Sequence, residues 1–334
     1  MRLFELTRTL IEIESITGNE KQIAFFLRDY LVDLGYQVTM QEVAPERYNI
    51  QAFLGDPVVV FTTHLDTVPP YIPFREDEQF IYGRGACDAK GIIAAQIEAA
   101  ERMRVDGENR CGLLFVVGEE RNSAGALLAN RNPPGSLYFI DGEPTENRLA
   151  LASKGSLRVE MVARGRSAHS AYPEQGESAI LKLLDVLQDL RNLDLPSDPE
   201  LGKSTCNIGV LEGGTKPNVV PDFARAEVML RSVVPPGRLK ERLEAVVRGR
   251  CEIHYRFEVP IVRMGVMEGF ETTVVSFASD VSFLDRWGKP FLVGPGTILD
   301  AHTDHERLSK QELLAGVELY VRLARRLLAG EAPS

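Results

Sequence analysis

The stretch VVVFTTHLDT, residues 58–67, runs from an apolar, β-branched segment into a histidine and an aspartate. Residues 58–62 have the composition of a buried β-strand. The segments GLLFVVGEE (112–120) and FIDGEPT (139–145) likewise place acidic residues directly after a short apolar run. Ligand sites in open α/β sheets lie at the carboxyl ends of strands. The three segments together therefore predict one site, rich in acidic and imidazole groups, at one edge of a sheet.

Helical patterns alternate with these strands. Apolar residues recur at helical spacing over 20–34, a segment that Thr17 and Glu20 could open as a capping box and Gly35 could close. Further helices are expected at 91–103, 123–130, 280–287 and 312–328. Alternation of strands and helices predicts an α/β domain with a largely parallel sheet covered by helices.

The order of elements changes after residue 154. Residues 156–259 follow the pattern strand, helix, strand, strand, helix, strand, which is typical of a ferredoxin-like α+β fold. A chain of 334 residues is also long enough for two cores. We therefore expect a discontinuous catalytic domain, residues 1–154 and 265–334, with a ferredoxin-like domain inserted at 155–264.

The composition excludes several classes of protein. Lys and Arg number 38 against 48 Asp and Glu, a net charge of −10 without a basic cluster, so a nucleic-acid partner is not expected. The start MRLFELTRTL does not resemble a secretory signal, and no apolar stretch is long enough for a membrane span, so a cytoplasmic protein without a membrane partner is expected. The cysteines are expected to be free thiols, since no CxxC spacing occurs among Cys87, Cys111, Cys206 and Cys251.

The first candidate site residues have alternative readings. His64 and Asp66 lie two residues apart, and at a strand end the aspartate could turn back to hold the second nitrogen of the imidazole. A histidine after an apolar strand is otherwise often structural. Asp88, in the glycine-rich YGRGACDAKG, is either a metal ligand or the N-cap of the helix that follows.

The later acidic residues also allow two interpretations. Glu119 and Glu120 are adjacent, so at the end of a strand one could bind metal while the other moves protons, or both could be solvated loop residues. Glu143 is the next acid at a strand end. The second imidazole comes from His302, in LDAHTDHERL, whereas the nearby His305 is expected at the surface.

The motifs of this chain resemble those of a known family. Motifs spread over nearly its whole length, among them HLDTVP, GRGACDAKG, GEE, GEPT, GRSAHSAYP, GGTKPNVVP and AHTDHERL, resemble those of dinuclear zinc peptidases and deacylases. That family includes acetylornithine deacetylase, succinyl-diaminopimelate desuccinylase and glutamate carboxypeptidase. Several motifs in the same order are more specific than any one of them.

The resemblance implies a centre with two divalent metal ions, zinc or else cobalt. Asp88 would bridge the ions, with His64 and Glu143 completing one set of ligands and Glu120 and His302 completing the other. Imidazole and carboxylate ligands suit zinc. The resemblance also implies a cis peptide bond after Asp88.

The remaining roles are implied in the same way. Glu119 would act as the general base, with Asp66 supporting the imidazole next to it. Asp141 is an alternative to Glu143 as a ligand, since some relatives use an aspartate there. In the inserted domain, His169 would reach the substrate across a dimer interface, and the substrate would be held by Asn218 and Arg231.

These roles predict a homodimeric, metal-dependent amide hydrolase. The expected substrate is a small N-acyl amino acid with a free carboxylate, as for a deacetylase, or alternatively a dipeptide or other peptide, as for an exopeptidase of the same family. A catalytically silent binding protein is the alternative from another class, and the presence of a base beside the ligands argues against it.

Overall fold

The computed structural model describes residues 3–333 and divides into two compact units. The first comprises the chain up to Leu151, Met264–Thr273 and the segment from Ser279 onward. The second comprises Ala152–Arg263 and Val274–Ala278. The second unit therefore begins three residues before the boundary expected from the sequence, and it also takes in the short segment 274–278.

The helices are α1 (Leu3–Glu12), α2 (Lys21–Asp33), α3 (Gly91–Val105), α4 (Ala124–Ala129), α5 (Ala179–Arg191), α6 (Pro236–Val247) and α7 (Lys310–Leu328). Helix α1 has no counterpart in the sequence prediction. The bounds of the predicted helices agree with the structure to within two residues, with one exception. The helix expected at 280–287 is only a 3-10 turn, Asp280–Phe283. Gly288 follows with a φ of 105° and packs so closely on Leu137 that the chain must turn directly into a strand.

The start of α2 also differs from the expectation. Its N-cap is Glu20, which makes no side-chain capping bond. The Thr17 hydroxyl, expected to open the helix, instead donates to the Asp66 carboxylate at 2.8 Å. Because that acceptor lies 49 residues along the chain, local sequence could not have revealed it.

The strands are β1 (Gln37–Ala44), β2 (Arg47–Phe53), β3 (Val59–His64), β4 (Arg75–Glu76), β5 (Phe80–Tyr82), β6 (Cys111–Val116), β7 (Tyr138–Asp141), β8 (Leu149–Ser153), β9 (Gly155–Arg164), β10 (Ala168–His169), β11 (Ser197–Asp198), β12 (Gly202–Lys203), β13 (Thr205–Gly213), β14 (Val219–Val220), β15 (Phe223–Ser232), β16 (Glu252–Val259), β17 (Val262–Arg263), β18 (Thr272–Val275), β19 (Lys289–Leu292) and β20 (Arg307–Ser309).

The first unit is built on a six-stranded sheet of order β1-β2-β6-β3-β7-β19. Strands β6, β3, β7 and β19 run parallel, whereas β1 and β2 form an antiparallel edge. Every residue of β3 and β6 is buried, as their continuous apolar runs require in a sheet covered on both faces. Helix α3 packs on β3 and β6, and α2 and α4 pack on β1 and β2. The predicted helix-covered, mostly parallel sheet is confirmed.

The second unit contains a four-stranded antiparallel sheet of order β13-β15-β9-β16. With α5 and α6 between the strands in sequence, this is the ferredoxin-like arrangement, again as predicted. Alternate residues of β15, from Ala224 to Leu230, enter a core with apolar side chains of α5 and α6. The residues between them, Arg225, Glu227, Met229 and Arg231, occupy the opposite face.

Two further expectations concern what the fold lacks. Within residues 3–333 no helix is both long and apolar enough to cross a bilayer. The four cysteines are free thiols, as the absence of paired spacing predicted.

Candidate metal centre

The sheet register brings three strand ends together. In the parallel ladders His64 pairs with Val116, and Thr62 pairs with Asp141, so β3, β6 and β7 end at the same edge. The chain then turns at Gly118, whose φ of 84° is a left-handed conformation that glycine adopts without strain. The acidic residues that follow each strand are thus delivered to one place, as the carboxyl edge of an open sheet predicts.

Asp88 lies between two imidazoles. Its Oδ1 is 2.9 Å from Nε2 of His64, and its Oδ2 is 3.1 Å from Nε2 of His302. The residue sits in an irregular segment before α3, and the peptide bond to Ala89 is cis, as expected. The N-cap position of α3 belongs to Lys90, so the capping alternative for Asp88 is not what the structure shows.

Two groups of potential ligands share this aspartate. His64, Asp88 and Glu143 place ligand atoms within 4.8 Å of one another, and Asp88, Glu120 and His302 do the same. The family resemblance implied the same division of the five residues. Nitrogen and oxygen donors in two small sets with a common carboxylate match the donors that zinc and related divalent ions take in dinuclear sites.

Proton affinities at the site reflect the crowding of charge. Burial opposes the ionised form of Asp88, but hydrogen bonds with His302 and His64 outweigh it and hold the pKa of the carboxyl below its usual value. Burial, together with the carboxylates of Glu119 and Asp88, raises the pKa of Glu143 well above its usual value. A cation stabilises the ionised form of buried carboxyl groups such as these. The raised pKa of Glu143 therefore fits a site for divalent metal.

Asp66 acts differently from the expectation. Nδ1 of His64 donates to the main-chain oxygen of Asp66 at 2.8 Å, whereas the nearest carboxylate oxygen is 3.8 Å from that nitrogen. The Asp66 carboxylate instead accepts the main-chain N–H groups of Gly118 at 2.9 Å, Glu119 at 3.1 Å and Glu120 at 3.3 Å. Asp66 therefore orders the turn that carries both glutamates, and the imidazole is oriented by a peptide carbonyl.

Glu119 belongs to neither ligand group among the described residues. Burial raises the pKa of its carboxyl well above the usual value, and the carboxylates of Asp280, Glu120 and Asp88 raise it further. A carboxyl group with a raised pKa, close to the ligand atoms but outside both ligand groups, is compatible with the general base predicted from the sequence, and that role stays a prediction.

Asp141 and His305 are the alternatives to Glu143 and His302, and both lie outside the two ligand groups. Asp141 accepts a hydrogen bond from the Ser279 hydroxyl at 2.8 Å and is held by that contact. His305 is exposed and pairs with Asp304. The geometry therefore favours Glu143 and His302.

Sequence analysis missed a buried ion pair beside the centre. Arg84 and Glu306 are each 1% exposed, and the Arg84 guanidinium donates to Glu306 at 2.6 Å. Glu306 follows His302 by four residues and immediately precedes β20. Its partner is 222 residues away, so no local pattern identifies the pair.

The second unit brings together two of its three predicted residues. Strand β10 pairs with β14, with His169 opposite Val219, and the N–H of Ser170 donates to the main-chain oxygen of Asn218. Both His169 and Asn218 are exposed.

Arg231 lies elsewhere in that unit. It is near the far end of β15, eight residues beyond Phe223, and the chain enters β15 just after β14. At about 3.3 Å per residue, this places Arg231 roughly 25 Å along the strand from the end next to Asn218.

Comparisons with known proteins bear on the whole chain. The profile of the M20 peptidase dimerisation domain matches residues 151–257. A Schizosaccharomyces pombe protein described as containing a peptidase M20 domain is 38% identical over 334 residues, spanning 96% of this chain and 84% of that protein. A probable carboxypeptidase of Uncinocarpus reesii is 36% identical over 385 residues, spanning 97% and 86%.

Solved structures share the fold. The crystal structure of a Staphylococcus aureus tripeptidase aligns with a TM-score of 0.80 at 23% identity, covering 97% of this chain and 98% of that one. At this identity the similarity concerns the fold and leaves the substrate open.

Proposed function

This chain belongs to the M20 peptidase family, and on that premise we propose that it is a dinuclear metal-dependent exopeptidase of the carboxypeptidase type. The observation that carries the proposal is the position of Asp88, whose two carboxylate oxygens each face a different histidine, 2.9 Å and 3.1 Å away. A carboxylate shared in this way is the bridging ligand that a two-metal site needs. Relatives named probable carboxypeptidases favour the substrate class.

Five side chains would hold the metal pair. His64 and Glu143 would serve one ion, Glu120 and His302 would serve the other, and Asp88 would serve both. Zinc, or else cobalt, would supply Lewis-acid polarisation of the scissile carbonyl and would lower the pKa of water. The main-chain oxygen of Asp66 fixes the His64 ring by accepting from Nδ1, so Nε2 is directed toward Asp88.

Glu119 moves the proton in this proposal. It lies beside both ligand groups without joining either, and its raised pKa lets it accept a proton from the attacking water and hold it. The same carboxyl then returns the proton to the leaving amine. The Asp66 carboxylate supports this step by ordering the main chain of Glu119.

The carboxypeptidase and the deacylase predicted from the sequence cleave the same kind of bond. In both reactions an amide is hydrolysed and the departing amine belongs to an amino acid with a free carboxylate. The two reactions differ in the acyl group that is released. It is a peptide or an amino acid for the carboxypeptidase and a simple acyl group for the deacylase. Arg231 is proposed to bind the shared carboxylate, since a guanidinium matches it with two parallel hydrogen bonds.

A homodimer is part of the proposal. The match to a dimerisation domain supports it, and so do leucines on the surface of the second unit, Leu181 and Leu184 on α5 and Leu211 on the edge strand β13. Arg231 lies eight residues, roughly 25 Å, along β15 from the end next to Asn218, whereas His169 pairs with β14 in a separate sheet. Because of this placement, we propose that the two residues serve different substrates and that His169 acts on the partner's substrate. The cytoplasmic location expected from the sequence stays a prediction.

The test is a substrate panel with purified, metal-replete protein. It compares a peptide with a free carboxyl terminus, the same peptide as its amide, the same peptide with a blocked amino terminus, and N-acetylornithine. A carboxypeptidase cleaves the first and third and spares the amide, whereas a deacetylase prefers N-acetylornithine. Cleavage of the amide but not of the blocked peptide would contradict both assignments, and stable metal binding without turnover of any substrate would favour the silent binding protein.

A further inference from the structure

The carboxylate of Glu306 divides its contacts between two partners. Oε2 accepts from Nη1 of Arg84 at 2.6 Å. Oε1 accepts the main-chain N–H groups of Cys87 and of Asp88, each at 3.2 Å. The bridging aspartate is thus held through its own peptide N–H by a buried carboxylate, and the guanidinium of Arg84 holds that carboxylate in place.

Glu306 is also connected to the other ligand segment. It follows His302 by four residues, and its main-chain oxygen accepts from the N–H of Gly83 at 3.1 Å. Directly after it, β20 pairs with β5, with Arg307 opposite Tyr82. The segment that carries His302 and the segment that carries Asp88 are therefore joined at Glu306 and along the strand pair directly after it.

We propose that Glu306 is the positioning residue of the bridging carboxylate, setting the place of Asp88 relative to both ligand groups. The inference rests on the proposed metal centre. Because Asp88 belongs to both groups, a shift of its main chain disturbs both at once. Loss of a terminal ligand such as Glu120 disturbs only one. Glu306 therefore controls whether the two ions bind as a pair.

The variant Glu306→Gln tests this. A glutamine has one acceptor oxygen, so its NH2 group must face either Arg84 or the two peptide N–H groups, and one of the contacts is lost. The first measurement is hydrogen exchange of the metal-free protein over the peptide that contains Cys87 and Asp88, where faster exchange is expected. The second is chelator competition for cobalt and zinc, where both ions should bind about tenfold to a hundredfold more weakly.

Glu20→Gln is the matched control. Glu20 is fully buried and accepts two hydrogen bonds from Arg47, but among the residues that the structure describes it accepts no N–H of a ligand segment. It should leave the exchange at Cys87 and Asp88 unchanged and should preserve paired binding of the ions. Should Glu306→Gln fail to fold, Glu306→Asp, which keeps the charge and withdraws the carboxylate, is compared in the same way.

Two results would overturn the inference. Glu306→Gln could bind both ions and protect the two N–H groups as the natural protein does, or both variants could loosen the site equally, which would indicate a general loss of rigidity. Failure of the natural protein to bind two ions would count against the proposed function instead. The hydrogen-exchange comparison, made without metal, would still decide the role of Glu306.

Discussion

Glu119 and Glu120 are adjacent in sequence, yet their surroundings differ. Glu120 lies 3.0 Å from Nε2 of His302, whereas Glu119 stands outside both ligand groups. Their main chains are ordered by the same acceptor, the carboxylate of Asp66. A turn beyond the end of β6, held by one buried aspartate, thus places one glutamate in a ligand group and the other outside it, as the proposed roles in metal binding and proton transfer require.

This division predicts different results for the two amide variants. Glu119→Gln keeps the shape and removes the proton acceptor, so kcat should fall by about a hundredfold to ten-thousandfold with both ions retained. Glu120→Gln should lose an ion. Turnover and metal content measured on the same samples give the answer, and the reverse pattern would exchange the two roles.

His302 provides a prediction about protons. Hydrogen bonds with Asp88 and Glu120 raise the pKa of its imidazole to about 10 in the metal-free protein. The ring is therefore charged at pH 8, and a metal ion can bind its nitrogen only when the proton leaves. The loss of this one proton from His302 should raise metal affinity by up to about tenfold per pH unit until the pH approaches that pKa.

Calorimetry in two buffers of different ionisation enthalpy measures the effect. The number of protons released on zinc binding at pH 8 should fall by about one in His302→Ala and stay unchanged in His305→Ala, whose ring is exposed. If the natural protein and both variants release the same number of protons, His302 is already neutral before zinc binds.

At the level of elements, the turn after β6 depends on the close approach of α4. The N–H of Gly125 donates to the Val117 oxygen at 2.9 Å. The side-chain amide of Asn49 donates to the main-chain oxygen of Gly125 and accepts from the N–H of Val117, so it connects α4 to the end of β6. A Cβ atom at Gly125 would lie 2.5 Å from that same Val117 oxygen and 2.5 Å from Oδ1 of Asn49. Contacts this short require that α4 or the turn be displaced.

Gly125→Ala should therefore destabilise the protein by about 1–3 kcal/mol and reduce turnover through the displaced glutamates. Urea unfolding and the kcat of the folded variant are the measurements. Gly55→Ala is the control, because a Cβ there would meet only the Asn109 oxygen at 3.9 Å. Equal stability of the two variants would show that the turn tolerates the added methyl group.

At the level of the whole molecule, the proposed dimer predicts complementation. If His169 serves the partner's centre, then the inactive variants His169→Ala and Glu119→Gln should regain part of the activity when mixed and allowed to exchange subunits. One site of the mixed dimer then has Glu119 from the His169→Ala chain and His169 from the Glu119→Gln chain. Activity that stays at the level of the separate variants after verified exchange would place His169 and Glu119 in the same chain's site.

Much of this molecule could be predicted from local sequence. Continuous apolar runs determine β3 and β6, alternation determines the two faces of β15, and helical periodicity determines α2 and α7. These patterns depend on near neighbours, so they are readable without the fold. Parallel strands also end at a common edge, which is why the residues after successive strands predicted one site rich in acidic and imidazole groups. The resemblance to a known family supplied the division into five proposed ligands.

Contacts between distant segments could not be predicted in this way. The sequence by itself determined which residue types stand at the strand ends, but only the packed structure decided that the Asp66 carboxylate orders the Gly118–Glu120 turn while its carbonyl orients His64. The pairing of Glu306 with Arg84, and the separation of Arg231 from His169, were decided at the same level. The physical reason is that hydrogen bonds depend on positions within a few tenths of an ångström, which strand register and packing set after the elements have formed.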